Sequence, residues 1–359
     1  MRRPRHGAVS SRRECCAREA GPGHLGASIV SAMSAPAVRS ALPGTAARLP
    51  DFFVVGHEKS GTTALYGMLR SHPRVYMPDL KEPRFFAPEA RSAARSRDDV
   101  PYTHTLEEYV ALFAPASPEQ LVGEASPQYL RSPEAALRIA ELCPDARIIA
   151  ILREPVSFLR SFHLQCVQAG RETQKDLRRA LALEPARREG KRLPRGYSSP
   201  AWLLYSEHVR YAEQLRRFHA AFPRERVLVL IYDDYLSDNE ATLRVVQRFL
   251  EIDDTVPIEP VRAMQTRSTA RFTAVHPLSR RLRLAWHRPQ EADPLSRTLA
   301  ALAPRSARRL WRRVFYTHAP TSDEQLAQEL RRRFKPEVEA LSGYLGRDLV
   351  ALWGYEDAA

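Results

Sequence analysis

A glycine-bounded loop that contains one lysine is the strongest chemical feature of the sequence. Residues 56–63 read GHEKSGTT, directly after the apolar run Phe52–Val55. Backbone N–H groups in a strand-to-helix loop, together with the positive end of the helix dipole, bind phosphate. The pattern therefore predicts an anion site made of Lys59, Ser60, Gly61, Thr62 and Thr63.

The position of the lysine separates this loop from that of ATP-binding P-loop proteins. Their loop follows G-x-x-x-x-G-K-[ST], with the lysine directly after the second glycine. Here Thr62 stands in that place and Lys59 comes three residues earlier. No acidic strand end offers a clear Mg²⁺ ligand for a kinase site. A P-loop nucleotide kinase stays an alternative, but the spacing favours another anion geometry.

A second polar pair follows another buried strand. Arg153 comes directly after the apolar run Ile148–Leu152, and Ser161 lies eight residues later, two turns along the predicted helix. Arginine offers a forked cationic donor and serine a hydroxyl donor. Ligands of α/β proteins bind at the carboxyl ends of the strands, which is where both polar segments lie.

The segments KSGTTAL and LREPVSFLRSFH together resemble the two phosphate-binding motifs of sulfotransferases that use 3′-phosphoadenosine 5′-phosphosulfate (PAPS). The resemblance covers residues 51–170 well and the remainder in outline. It implies that Lys59 donates to the bridging or leaving oxygen and that residues 60–63 hold the 5′-phosphate. It also implies that Arg153 and Ser161 hold the 3′-phosphate, and that the reaction needs no metal.

The segment KEPRFF, residues 81–86, resembles the KExxFF segment of glycan sulfotransferases, whose glutamate is the proposed base. The resemblance implies that Glu82 is the general base for a hydroxyl or amine acceptor. We expect the acceptor to be a sugar or a glycosylated metabolite. The alternative is an ion pair between Glu82 and Lys81 or Arg84. Glu124 and Ser126 are further candidates, as acceptor contacts or helix caps, and Arg267 is a candidate for another 3′-phosphate contact.

Strands alternate with helices along the chain, which predicts an α/β, P-loop-like three-layer fold. We expect a central parallel sheet of about five strands with helices on both faces. Residues 1–49 are predicted to be a disordered basic tail, with Met33 as a candidate translation start. Residues 50–359 are predicted to form the sulfotransferase domain, with a helical extension from about residue 277. The sequence also predicts a long helix over residues 202–220 and an irregular insertion over residues 175–199.

Net charge and cysteine content limit which binding partners and which cell compartment we expect. The net charge is +13, concentrated in residues 1–50 and 279–313, and the sequence has four cysteines in no metal-binding pattern. Segregated charge disfavours a nucleic-acid groove, although a non-catalytic protein that binds a polyanion stays an alternative. The cysteine usage favours a reducing compartment, the cytoplasm, and no run is long enough to span a bilayer. Oligomeric state is left open.

Overall fold

The fold is described from a computed structural model of the chain. The described residues are 48–89, 103–194, 200–258, 268–270, 294–302, 316–318 and 323–358. The predicted tail lies almost entirely outside these ranges, as does Arg267. Across the described residues, no helix combines the length and apolar character that a membrane crossing requires.

Five parallel strands form the central sheet, in the order β2-β3-β1-β4-β5. They are β1 Phe52–Gly56, β2 Val75–Tyr76, β3 Leu121–Ala125, β4 Arg147–Leu152 and β5 Val227–Ile231. Strand β1 lies at the centre, where Phe53 is in register with Glu124 of β3 and Ile148 of β4. The carboxyl ends of β1 and β4, which carry the two polar segments, are therefore neighbours.

Helices cover both faces of the sheet because the strand residues alternate between two apolar clusters. Phe53 and Val55 pack on one face, and Phe52 and Val54 on the other. The sheet and its two helical layers confirm the predicted fold class. Within the described ranges, the helices that precede the C-terminal region are α1 Thr62–Ser71, α2 Leu106–Ala111, α3 Ala135–Leu142, α4 Pro155–Gln168, α5 Leu177–Ala182, α6 Glu184–Arg188, α7 Tyr205–His208, α8 Tyr211–Ala221, α9 Tyr232–Ser237 and α10 Asn239–Phe249.

The C-terminal region adds helices and a short antiparallel strand pair. The elements are β6 Ser268–Ala270, α11 Pro294–Leu302, β7 Tyr316–His318, α12 Glu324–Leu345 and α13 Leu349–Trp353. Helix α12 packs Leu330, Phe334 and Val338 into the same cluster as Phe53. The predicted helical C-terminal segment is present, whereas the strand pair was not predicted.

The predicted helix over 202–220 is wrong, because the chain leaves helical geometry twice in that range. A 3₁₀ turn, Ala201–Leu203, and helices α7 and α8 replace it. The Gln214 amide nitrogen donates to the carbonyls of Glu207 and His208, at 2.9 and 3.3 Å. These bonds satisfy carbonyls that a continuous helix would have paired internally, so a side chain of the next helix stabilises the break.

The irregular insertion predicted over 175–199 is also wrong in its first half, where α5 and α6 form. Asp176 caps α5 by accepting from the Arg179 N–H. Arg187 is buried and pairs with buried Glu172, with 2.9 Å between Nη1 and Oε2. One charged residue of this segment therefore forms a buried ion pair instead of facing solvent. Composition alone does not distinguish these two cases.

Candidate active site

The phosphate loop leaves the sheet where β1 passes close to β4. A Cβ at Gly56 would lie 2.5 Å from the Ile151 carbonyl oxygen of the paired strand, so only glycine fits at this position. Lys59 and Gly61 adopt left-handed backbone conformations, with φ of 69° and 89°. A left-handed residue in a turn aims successive N–H groups into one concavity, which is a geometry that binds anions.

The start of α1 is open to an anion. Its N-cap, Gly61, has no side chain to satisfy the first N–H groups of the helix, which belong to Thr62 and Thr63. Within the described part of the chain, the buried Ser60 hydroxyl has no hydrogen-bond partner. Open amides, an unpaired hydroxyl and the helix dipole together fit a phosphate group.

Arg153 joins the end of β4 to the phosphate loop. Its Nη1 donates to the Lys59 carbonyl oxygen at 2.7 Å, and its guanidinium lies 4.8 Å from the Tyr232 ring centroid. The two predicted phosphate segments are thus adjacent, as binding of one nucleotide by both would require.

The serine in contact with Arg153 is not the one that the sequence predicted. Ser157 Oγ accepts from Arg153 Nε and Nη2 at 3.0 and 2.6 Å. Ser161 lies one turn further along α4, and its role in 3′-phosphate binding stays a prediction. Residues four apart share a helix face. The spacing of Ser157 and Ser161 could therefore have indicated that both serines lie on the same face of α4.

Glu154 fixes the start of the helix that carries these serines. Its carboxylate accepts from the N–H groups of Val156 and Ser157, at 2.9 and 2.6 Å. The Tyr355 hydroxyl donates to the same carboxylate at 2.6 Å. The C-terminal end of the chain therefore supports the N-terminus of α4.

The KEPRFF segment forms a strained turn against the end of β3. The Glu82 N–H donates to the Ala125 carbonyl at 3.2 Å, and the Arg84 N–H donates to Ser126 Oγ at 3.1 Å. Glu82 and Arg84 have φ of 63° and 55°. Such conformations cost free energy and concentrate at functional sites. Ser126 thus holds this turn in place, while its role as an acceptor contact stays a prediction.

Glu82 lies among three donors. Lys81 Nζ is 2.8 Å from Oε1, while Arg84 Nη2 and Gln128 Nε2 lie 2.7 and 2.9 Å from Oε2. Burial alone would raise the pKa of this carboxyl, but the charges of Lys81 and Arg84 outweigh it and hold the pKa well below its usual range. The side chain is therefore ionised at neutral pH. The ion pairs given as the alternative are present with both Lys81 and Arg84, and the role of Glu82 as base stays a prediction.

Glu124 is a buried member of β3 and lies below the KEPRFF turn. Its Oε2 accepts from the Tyr109 hydroxyl at 3.2 Å. Burial raises the pKa of this carboxyl to about 7, although hydrogen bonds from Ser126, Tyr129 and Tyr109 oppose the shift. The structure places Glu124 inside the protein, and its contact with an acceptor stays a prediction.

Two buried side chains of the phosphate loop and one from α7 have metal-ligand chemistry. The ligand atoms of His57, Glu58 and His208 lie within 4.8 Å of one another. Burial lowers the pKa of His57 to about 3 despite its hydrogen bond to Gln214, and the charge of Arg131 lowers it further. The neutral imidazoles could bind a cation, but the nearby Arg131 charge opposes one.

The fold and the site together define a class of protein. A phosphate loop and a cationic strand end meet at one edge of a parallel sheet, which is the arrangement of an α/β nucleotide-binding protein. Residues 50–256 match the sulfotransferase family, and the chain belongs to that family.

Similar proteins include carbohydrate and heparan sulfate sulfotransferases. The chain is 26% identical over 284 residues to human carbohydrate sulfotransferase 15, covering 66% of this chain and 49% of that protein. It is 28% identical over 221 residues to mouse heparan sulfate glucosamine 3-O-sulfotransferase 3A1, covering 59% and 50%. The chain thus spans about half the length of these relatives.

A solved structure shares the fold. The sulfotransferase from Alicyclobacillus acidocaldarius superposes with a TM-score of 0.60 at 24% identity, over 86% of this chain and 99% of that chain. The agreement extends beyond the sheet into the C-terminal region.

Proposed function

We propose that this sulfotransferase moves a sulfuryl group from PAPS to the hydroxyl group of a sugar or a glycosylated metabolite. The observation that carries the proposal is the 2.7 Å contact between Arg153 and the Lys59 carbonyl, which brings the two phosphate segments together. PAPS, when bound, supplies the sulfuryl group and leaves as adenosine 3′,5′-bisphosphate (PAP). The protein supplies the charges and hydrogen bonds that orient it.

Each residue of the nucleotide site has a task in this proposal. The N–H groups at the start of α1, with the hydroxyls of Ser60 and Thr62, hold the 5′-phosphate. Arg153 and the serines of α4 bind the 3′-phosphate. Lys59 donates to the oxygen on which negative charge develops, and such preorganised donors supply a large part of catalysis.

The acceptor side rests on Glu82. An ionised carboxylate in a fixed turn can take the proton from an acceptor hydroxyl, which otherwise is a poor nucleophile. The neighbouring cations of Lys81 and Arg84 lower its basicity, so its contribution depends on close placement against the hydroxyl. A sugar acceptor is supported by the KEPRFF segment and by the carbohydrate relatives.

Nucleotide binding tests this function directly. We expect PAP to raise the melting temperature of the wild-type protein and to leave that of Arg153→Met unchanged. Arg147→Met is the matched control, because Arg147 begins the same strand and pairs with Glu251 away from the loop. Stabilisation by ATP with Mg²⁺ but not by PAP would favour a kinase and overturn the proposal.

A further inference from the structure

We propose that Gln128 is a positioning residue whose amide holds the Glu82 carboxylate in place and ties it to the phosphate loop through Glu58. The inference rests on the proposed function, in which Glu82 takes the proton of the acceptor. Neither Gln128 nor Glu58 was among the residues that the sequence predicted for the site.

The Gln128 side-chain amide bridges two carboxylates. Gln128 Nε2 lies 2.8 Å from Glu58 Oε1 and 2.9 Å from Glu82 Oε2. An amide nitrogen carries two hydrogens, so it can donate one to each carboxylate. These contacts also fix the amide orientation, since the carbonyl oxygen in the place of the nitrogen would repel both acceptors.

Burial makes the bridge necessary. Gln128 is 1% exposed and Glu58 is 6% exposed. Two carboxylates this close repel each other, and water cannot easily screen them. A neutral donor between them satisfies one oxygen of each without adding charge. An acidic side chain at the same place would create three carboxyl groups in contact.

The bridge also links the two sides of the reaction. Glu58 directly precedes Lys59, the predicted donor to the leaving oxygen, while Glu82 belongs to the acceptor side. Gln128 itself lies in the 3₁₀ turn Pro127–Tyr129 that follows β3. One side chain therefore joins the residue before the predicted donor to the predicted base, and reaction rates depend steeply on the placement of such groups.

Two variants separate positioning from a general structural role. In Gln128→Met, which keeps the volume but loses both donors, we expect kcat to fall about tenfold, part of the roughly 10²- to 10⁴-fold that a general base contributes. The KM for PAPS should stay unchanged. Activity is measured with radiolabelled PAPS, using desulfated heparan sulfate and nitrophenyl glycosides as acceptors.

The second variant, Gln128→Glu, changes the pH dependence. The introduced carboxyl can donate only while it is protonated, and its two neighbours raise its pKa. We therefore expect the transfer rate of Gln128→Glu to fall as the pH rises. The pH profile of the wild-type rate should not show this fall. The melting temperature of the variant should fall relative to wild type over the same pH range, because a raised pKa in the folded state costs stability at high pH.

Gln247→Met is the matched control. Gln247 is also a buried amide, but it donates to the Asp253 carbonyl far from the site. It should lower stability and leave kcat unchanged. An unchanged kcat in Gln128→Met, or a Gln128→Glu melting curve that follows wild type at every pH, overturns the bridge. A wild-type protein without PAPS-dependent transfer overturns the proposed function instead, and the melting curves still test the bridge.

Discussion

Lys59 sits in surroundings that disfavour its own charge. Burial, and then the charge of Arg153, lower the pKa of its ammonium group. Because the fold destabilises the charged form, we expect Lys59→Met to keep or raise the melting temperature. The same change should slow transfer about 100-fold or more, since it removes a donor to developing negative charge. Transfer from radiolabelled PAPS and thermal denaturation measure the two effects, and unchanged turnover would remove Lys59 from the reaction.

The raised pKa of Glu124 should make the stability of the protein depend on pH, which can be measured without a substrate. The folded pKa of Glu124 is raised from 4.5 to about 7. Between these pH values the folded protein keeps a proton that the unfolded chain has lost, so stability falls as the pH rises, by about 3 kcal/mol in total. Glu124→Gln should remove this slope and be more stable than wild type at pH values above the titration. Urea denaturation at several pH values checks it, and identical slopes would contradict it.

The sequence indicated which residue types carry the charge of the site, but not how they pair. Lys59 and Arg153 were predicted because each follows a recognisable buried strand. Gln128 was missed because its partners lie 70 and 46 residues away in the chain. Contacts over such separations depend on the turn geometry after β3, which a local pattern does not specify.

At the scale of elements, the sheet was predictable because β1 and β4 are continuous apolar runs buried on both faces. The helix over 202–220 was not, because its periodicity continues through breaks that Gln214 stabilises from α8. Periodicity thus predicts which residues face the core, whereas hydrogen bonds from a side chain to the backbone stabilise the point at which the helix is interrupted.

Gly56, at the end of β1, lies directly against the paired strand β4. Gly56→Ala combines an unfavourable φ of 141° with a Cβ placed 2.5 Å from a backbone oxygen, so we expect a loss of about 3 kcal/mol or more. Gly190→Ala is the control, since Gly190 also has a positive φ of 73° but nothing within 4 Å of its Cβ. It should cost only about 1 kcal/mol. Equal losses in urea denaturation would show that conformation alone, and not the close contact with β4, requires glycine.

In the whole molecule, the last described helix and the residues after it pack beside the elements of the proposed nucleotide site. Trp353 Nε1 donates to Asp233 at 3.0 Å, and Tyr355 is fully buried. These contacts attach the chain end beside α9, whose Tyr232 lies under Arg153. The family match ends at residue 256, so this support lies beyond the matched segment. We expect the contacts of Trp353 and Tyr355 to affect nucleotide binding through the elements that they support.

Tyr355→Phe tests that dependence between distant parts of the chain. The hydroxyl donates to Glu154, which in turn caps the helix that begins beside Arg153 and carries Ser157. Its loss should cost about 1 kcal/mol of stability and weaken PAP binding several-fold, because the cap holds Ser157 against the arginine. Tyr76→Phe is the control, since it loses one hydrogen bond to the Leu112 carbonyl at the opposite edge of the sheet. Calorimetric titration with PAP should separate the two: comparable destabilisation with weaker binding only in Tyr355→Phe supports the coupling, and equal PAP affinities in both variants contradict it.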